Sequence, residues 1–130
     1  MNEPVFLSLE QVFEIHKRGI ERHGGTLGIR DRGGIEAAVD QPRNVFHYGN
    51  GDLFEIAAAY AFHIAESQCF LDGNKRTGIT AALAFLRVNG VALRFDDMKL
   101  YDLMIGIAER RATKADLAAY FRDASRPGQA

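Results

Sequence analysis

The chain has 130 residues, of which 47% are hydrophobic and 25% are charged, with a formal net charge of -1. This length is enough for one domain with a hydrophobic core that needs no metal or disulfide support. The balanced charge argues against a general electrostatic grip on nucleic acid, which a basic excess would provide. We therefore expect a single domain over residues 1–130, with a frayed tail from about residue 124 and no direct nucleic-acid partner.

The sequence indicates a soluble, cytoplasmic protein. Its single cysteine, Cys69, cannot form an internal disulfide, so the fold does not depend on an oxidising compartment. The opening residues contain no basic segment followed by an apolar stretch, so no secretory signal is expected. No segment approaches the ~18 consecutive apolar residues of a membrane span, so no membrane partner is expected.

A helix is predicted near the start of the chain. Ser8 and Gln11 have the spacing of a capping box, and the helix that they open is expected to run to about His23. A pair of glycines then ends it. Residues 24–34 are too rich in glycine for a helix and predict a loop.

The region around Pro42 predicts a short helix followed by a flap. The helix is expected over about residues 34–41, because a proline disfavours helical backbone in the residue before it. Residues 42–51 mix aromatic side chains with turn formers. This mixture fits a mobile loop or a small β-hairpin flap, and the pattern leaves both open.

Two helices in the centre of the chain carry the clearest pattern. Asp52 and Glu55 form a second capping-box pair, and apolar residues then recur at helical spacing. The pattern resumes after Gly73 and continues to Asn89, and small alanines on both helices favour close packing. The apolar positions are Leu53, Ile56, Ala57, Tyr60, Ala61 and Ile64 in the first helix, and Ile79, Ala82, Leu83 and Leu86 in the second.

The last third of the chain predicts two more helices. A brief extended stretch is expected over residues 91–95, followed by a helix over about residues 97–110. Thr113 opens a final helix that is expected to run to about Asp123. The whole pattern predicts an all-α fold, a compact helical bundle around a central helix, with the flap as its candidate for β structure.

The join between the two central helices predicts an anion site. The second helix begins near Asn74, and its first turn contains Lys75 and Arg76 but no acid. A helix N-terminus carries free N–H groups and partial positive charge, so two cations there favour a bound anion such as phosphate. Gly73 lets backbone approach a ligand closely. Asp72 beside bound phosphates suits Mg²⁺, which takes its other ligands from water and phosphate oxygen.

Each of these residues also has an ordinary structural interpretation. Lys75 and Arg76 could be solvated surface charges, and Asp72 could be a loop or capping residue. The complete run Asp-Gly-Asn-Lys-Arg between two buried helices favours the phosphate site over this alternative. The run is not a Walker P-loop, because no Gly-x-x-x-x-Gly-Lys-Ser/Thr follows a strand.

This run resembles the signature of the Fic/Doc family, His-x-Phe-x-Asp/Glu/Asn-Gly/Ala-Asn-Gly/Lys-Arg. Lys75, where most Fic enzymes have glycine, is similar to the Doc (death-on-curing) branch. The resemblance covers nearly the whole chain. The segments that carry it are Gln68-Cys69-Phe70-Leu71-Asp72-Gly73-Asn74-Lys75-Arg76, Gly25-x-x-Gly28-Ile29-Arg30-Asp31 and Phe85-Leu86-x-x-Asn89-Gly90.

The resemblance implies a function and a set of roles. Doc-like toxins resemble protein kinases that phosphorylate elongation factor Tu, and a Phd-type antitoxin neutralises them, whereas Fic enzymes generally transfer AMP from ATP. On this resemblance, Asp72 holds Mg²⁺. Asn74, Lys75 and Arg76, with the backbone from Gly73 onward, bind and polarise the phosphates of ATP. The flap over residues 42–51 helps to position the segment of the target protein that carries the acceptor hydroxyl.

The sequence departs from the family at Gln68, where the resemblance places the histidine that takes the proton of the target hydroxyl. Gln68 follows Ile64 by four residues, so it is expected to point toward the site. A neutral amide can orient a hydroxyl but cannot accept its proton near neutral pH. Loss of a general base typically costs about 10²–10⁴ in rate.

Three explanations of Gln68 stay open. It marks a natural Doc-like subgroup with altered or lost transfer, which we favour. Alternatively it is an introduced substitution that makes a toxic protein safe to express, or Asp72 itself serves as base despite its metal role.

No histidine elsewhere is an obvious substitute for the missing base. His63 lies about 140° around an ideal helix from the base position and is expected to face elsewhere. His47 is a better candidate because the flap could carry it inward. His16 and His23 are expected at the surface of the first helix, and Cys69 is expected to be a small buried side chain rather than a nucleophile.

Two classes of function therefore compete. One is a toxin that transfers a phosphoryl group, or AMP, from ATP to a protein hydroxyl. The other is a catalytically silent module that binds nucleotide or a partner. Self-restrained Fic proteins use a Ser/Thr-x-x-x-Glu-Gly/Asn segment, which is absent from this sequence. Restraint is therefore expected from a separate antitoxin laid on an exposed apolar groove.

Overall fold

The computed structural model describes residues 2–94 and 96–125, which form six α-helices. These are α1 (Leu9–His23), α2 (Arg32–Gly49), α3 (Leu53–Ser67), α4 (Asn74–Val88), α5 (Asp97–Ala108) and α6 (Lys114–Ala124). The described residues contain no strand, only an isolated antiparallel bridge between Ile29 and Phe70. The all-α prediction is confirmed. No helix in this part of the chain is long and apolar enough to cross a membrane.

The central helix of the bundle is α3, which packs against α2, α4 and α6. Every residue from Ile56 to Ala61 is fully buried. α4 approaches α3 closely, because a Cβ added to Gly78 would lie 2.6 Å from the backbone oxygen of Ala61. The glycine therefore sets the distance between the two helices whose ends form the predicted site.

Four of the helix starts follow the sequence closely, those of α1, α3, α4 and α6. Both predicted capping boxes are present, at Ser8 with Gln11 and at Asp52 with Glu55. Thr113 caps α6 as expected, and α4 begins at Asn74. Short-range side-chain to backbone bonds decide the starts at Ser8, Asp52 and Thr113, so sequence alone could locate them.

The structure corrects the prediction around Pro42. α2 begins at Arg32, inside the predicted loop, and continues through Pro42 to Gly49. The helix predicted over residues 34–41 is present but is longer at both ends, and the mobile loop and the β-hairpin flap predicted as alternatives for residues 42–51 were both wrong. The ring of Pro42 is fully buried on the face of α2 that packs against α3. Burial of this face outweighs the local penalty of a proline, which has no N–H to donate within the helix. The other buried residues of the face are Ile35, Ala38 and Val39.

Two further predicted segments fall partly outside the described residues. Residues 91–94, in the predicted extended stretch, form a connection that is neither helix nor strand, and Phe95 lies outside the described ranges. Of the predicted tail, Ala124 ends α6 and its carbonyl accepts a hydrogen bond from the N–H of Arg94. Residues 126–130 also lie outside the described ranges.

Candidate functional site

A pocket of about 450 Å³ opens where α3 ends and α4 begins. Its other walls come from Ile79 and Thr80 of α4 and from Tyr101 of α5. All of the residues assigned to the site from sequence line this one pocket, namely Gln68, Asp72, Gly73, Asn74, Lys75 and Arg76. The structure therefore brings the predicted phosphate-binding run and the position of the missing base together.

The start of α4 has no side-chain cap and no acidic residue in its first turn. Gly73 occupies the N-cap position with φ of 75°, a left-handed conformation that glycine adopts without strain. Among the described residues, no partner accepts from the backbone N–H groups of Asn74, Lys75 or Arg76, whereas Thr77 N–H already bonds the Gly73 carbonyl at 2.9 Å. Three donors at the positive end of the helix are therefore available to an anion.

The two cations of the first turn add positive charge to this end of the helix. Neither Lys75 nor Arg76 forms a salt bridge with any carboxylate in residues 2–94 and 96–125. Lys75 is half-buried and Arg76 is exposed, with its side chain passing close to Gly19 of α1. Backbone donors and cations at one point form the arrangement that binds phosphate.

Asp72 is a single carboxylate held in a fixed orientation beside these donors. Its Oδ1 accepts the N–H of Gly73 at 2.9 Å, and its Oδ2 accepts the N–H of Thr26 at 3.2 Å. A Cβ added to Gly25 would lie 2.7 Å from the same Oδ2, so the neighbouring loop needs glycine there. Within the described residues no group of three or more acidic, histidine or cysteine side chains forms a complete metal cage. A lone, oriented carboxylate instead suits a Mg²⁺ ion that arrives with phosphates.

The side chain of Asn74 closes the loop that carries the site. Its Nδ2 donates to the carbonyl of Phe70 at 3.1 Å, and its Oδ1 accepts the N–H of Phe70 at 3.0 Å. Because both polar atoms of the amide are bonded in this way, the residue's contribution to an anion site comes mainly from its backbone N–H.

The loop between α1 and α2 braces the other side of the site loop. The N–H of Leu71 donates to the carbonyl of Gly28 at 3.0 Å. The N–H groups of Arg30 and Asp31 donate to the carbonyl of Cys69 at 2.6 and 3.1 Å. These backbone bonds hold together two of the segments that carry the family resemblance, although the segments lie about 40 residues apart in the sequence.

Gln68 lies at the opposite lip of the pocket, as the C-cap of α3. Its backbone is left-handed, with φ of 53°, and its side chain is exposed. The amide Nε2 lies 3.5 Å from the carbonyl of Ala65, at the outer limit of a hydrogen bond. The expected orientation toward the site is consistent with this position, but the amide carries no proton-accepting nitrogen.

The other candidate bases lie away from the pocket. His63 faces α6, with its Nε2 3.2 Å from Nζ of Lys114. Burial, together with the charge of Lys114, lowers the pKa of His63 to about 4. The proposal that a flap carries His47 inward was wrong, because His47 belongs to α2 and contacts Glu3 at 3.3 Å and the ring of Phe6.

The structure confirms the predictions for two further residues, His23 and Cys69. His23 is exposed at the end of α1, as expected. Cys69 is buried, and its thiol lies 3.2 Å from the carbonyl of Ser67, which confirms a packing role.

The placement of His16 at the surface was wrong. Only 3% of this residue is exposed, and its ring stacks on Phe70 with ring centroids 3.8 Å apart and planes 10° from parallel. Its Nε2 lies 2.8 Å from the carbonyl oxygen of Asp72, which can only accept, so the nitrogen carries the proton and donates it. The missed signal is the four-residue spacing of Val12, His16 and Ile20, which forms the buried stripe of α1.

Comparison with known proteins agrees with this geometry. The model of the Fic/DOC family matches residues 6–86, a span that contains the pocket-forming loop and its bracing segment. The chain belongs to the Fic/DOC family. It is 37% identical over 117 residues to the protein named Protein kinase doc of Escherichia phage P1, with 89% of this chain and 92% of that protein covered.

A second relative comes from a bacterium. The chain is 38% identical over 100 residues to Toxin Doc of Mycolicibacterium smegmatis (strain ATCC 700084 / mc(2)155), with 74% of this chain and 77% of that toxin covered. The resemblance to the Doc branch inferred from the motif is confirmed.

Proposed function

We propose that this protein is a Doc-like toxin of a toxin–antitoxin pair, which transfers a phosphoryl group from ATP to a protein hydroxyl. The observation that carries the proposal is the uncapped start of α4. There, three N–H groups and two cations that have no partner within the described residues share a pocket with one oriented carboxylate, Asp72. The names of the two relatives support the same class of activity.

The phosphates of ATP are assigned to the positive end of α4. The backbone N–H groups from Asn74 to Arg76 bind phosphate oxygens, and the side chains of Lys75 and Arg76 add charge-assisted hydrogen bonds. Asp72 is the residue that would hold Mg²⁺, which supplies neutralising charge to the phosphates. The exposed carboxylate fits this role, because its present hydrogen bonds leave lone pairs on both oxygens.

The acceptor hydroxyl is assigned to the Gln68 side of the pocket. Its amide oxygen can accept a hydrogen bond from a hydroxyl and so orient it, but it cannot remove the proton. We therefore propose slow transfer, roughly 10²–10⁴ below the rate that a base at this position would give. Nucleotide binding does not depend on this residue.

The test is a transfer assay with purified protein, Mg²⁺ and ATP labelled on either the γ or the α phosphate. Two acceptors are used: elongation factor Tu, which is the target that the family resemblance implies, and whole bacterial extract, which contains other candidate targets. We expect a labelled protein band from γ-labelled ATP. If protein is labelled only from α-labelled ATP, the activity is AMP transfer and the proposed phosphoryl transfer is wrong.

A catalytically silent module that binds nucleotide or a partner is the second candidate, and Gln68 favours it. Expression in bacteria separates the two functions. The silent module predicts no growth arrest by the chain itself and arrest by the Gln68→His variant. Equal arrest by both chains excludes it.

The proposed partner is a separate Phd-like antitoxin, and the proposed compartment is the cytoplasm. Support comes from the relative named Toxin Doc and from the missing self-restraint segment in this sequence. Co-expression with a small protein encoded beside it should restore growth to cells that carry the Gln68→His variant. Continued arrest with every neighbouring product would contradict this pairing.

A further inference from the structure

A buried histidine outside the pocket holds the peptide at the centre of the site. His16 donates from Nε2 to the carbonyl of Asp72 at 2.8 Å, and its ring lies flat on Phe70. The residue does not line the pocket, so it is not a contact for the ligands proposed above. Its influence on the site has to pass through the carbonyl that it bonds.

That carbonyl belongs to the peptide between Asp72 and Gly73, which is bonded at both ends. His16 holds the oxygen of the peptide, while the N–H on its other side donates to Oδ1 of Asp72 at 2.9 Å. Because a peptide is planar, fixing the direction of the oxygen also fixes the direction of the N–H. A rotation of this unit would release the carboxylate and redirect the backbone that leads into the free N–H groups of α4.

If this position only filled space, an aliphatic side chain would serve without burying a polar nitrogen. The neighbours of His16 on the same buried stripe, Val12 and Ile20, are aliphatic. A buried polar nitrogen is unfavourable unless it forms a hydrogen bond, and this one bonds a loop carbonyl beside the left-handed residue Gly73. The flat stacking on Phe70 fixes the plane of the ring and therefore the direction of the donor.

We infer that His16 is a positioning residue, which keeps the Asp72 carboxylate and the start of α4 in the geometry that binds Mg²⁺ and phosphate. This inference rests on the proposed nucleotide site. Through His16, α1 influences nucleotide binding without contacting the proposed ligands.

Two substitutions separate the hydrogen bond from the packing. His16→Phe keeps a flat ring over Phe70 but removes the donor. His16→Gln loses the ring but places an amide N–H close to the position of Nε2. His23→Phe is the matched control, since His23 is an exposed histidine on the same helix.

The measurement is calorimetric affinity for a non-hydrolysable ATP analogue with Mg²⁺, alongside thermal unfolding of each variant. We expect His16→Phe to bind about tenfold more weakly, which corresponds to the net contribution of one hydrogen bond. His16→Gln should recover most of that loss, and His23→Phe should bind like the unaltered chain. Unchanged affinity in folded His16→Phe overturns the inference, as does an equal loss in both variants that follows their unfolding temperatures.

Amide exchange in the free protein keeps this test apart from the proposed function. If the unaltered chain binds no nucleotide, the proposed function fails, and exchange at the N–H of Gly73 still tests the positioning role. Faster exchange there in His16→Phe than in His16→Gln supports the role. Equal exchange in the two variants and the unaltered chain overturns it.

Discussion

The two helix ends that meet at the pocket are held very differently. At the start of α4, Asp72 and Gly73 are bonded from α1, from the α1–α2 loop and to each other, and Asn74 closes the turn onto Phe70. At the end of α3, the exposed side chain of Gln68 makes one hydrogen-bond contact within the described residues, at 3.5 Å. The half of the site proposed to bind phosphate is held by several hydrogen bonds, whereas the half proposed to receive the acceptor hydroxyl is held by one long contact. Binding and transfer should therefore be separable in this chain.

The largest expected effect comes from restoring a base at the end of α3. In Gln68→His, transfer of the γ phosphate should rise by about 10²–10⁴, because the ring nitrogen accepts the proton of the acceptor hydroxyl. Affinity for the ATP analogue should change by no more than about twofold, since the anion site is untouched. Gln68→Ala, with no base, is the control in the same labelled-transfer assay. A Gln68→His variant that binds nucleotide but transfers no faster would break the division between the two ends.

The second effect concerns the distance between α3 and α4. Gly78→Ala should lower the free energy of unfolding by about 2 kcal/mol, because the new Cβ lies 2.6 Å from backbone of Ala61. The control is Gly49→Ala at the end of α2, where an added Cβ meets nothing within 4 Å. This control should be neutral or slightly stabilising. Denaturant unfolding compares the two, and equal stabilities would show that Gly78 does not set this spacing.

The third effect is confined to the start of α4. Arg76→Gln should weaken binding of the ATP analogue by about tenfold, which corresponds to one lost charge-assisted hydrogen bond. Arg87→Gln removes an exposed arginine from the last turn of the same helix and should leave the affinity unchanged. Calorimetry measures both. A similar loss in the two variants would indicate a general effect of charge rather than a site at the start of α4.

The smallest expected effect is a pH dependence of the free energy of unfolding, and it comes from His63, which lies at neither of the two helix ends. The folded pKa of His63 is lowered to about 4 from 6.5, so the unfolded chain binds the proton more readily. Its contribution to stability is complete above pH 6.5 and is lost as the pH falls toward 4. Because the ring is only partly buried, about 1 kcal/mol is expected after solvent screening.

His63→Gln should flatten the stability profile between pH 4 and 6.5, as measured by denaturant unfolding. His23→Gln is the matched control, a change at an exposed histidine, and should keep the pH dependence that His63 causes. Nucleotide affinity should be the same in both variants, because His63 contacts α6 rather than the pocket. A change in affinity with His63→Gln would place this residue in the site after all.

The sequence predicted what depends on neighbours along the chain. The caps at Ser8 and Asp52 and the acid-free first turn after Gly73 are local patterns, and each is present in the structure. The pocket could also be predicted, because its lining comes mainly from one continuous run, from Leu71 to Arg76.

The sequence failed where distant packing decides the outcome. Pro42 breaks helices by local rules, yet its burial against α3 keeps α2 continuous to Gly49. The burial of His16 is similar, because its partners Phe70 and Asp72 lie more than 50 residues further along the chain. Both positions do continue an apolar stripe at helical spacing, and this pattern was the better guide.

The central claim is that the start of α4 binds phosphate whether or not a base stands at position 68. The most direct measurement is a titration of the unaltered, ¹⁵N-labelled protein with Mg²⁺ and a non-hydrolysable ATP analogue, followed by amide chemical shifts. We predict saturable shifts that are largest at Gly73, Asn74, Lys75 and Arg76, and the same pattern in Gln68→His. Saturable shifts centred elsewhere, or none until a histidine replaces Gln68, would contradict the claim.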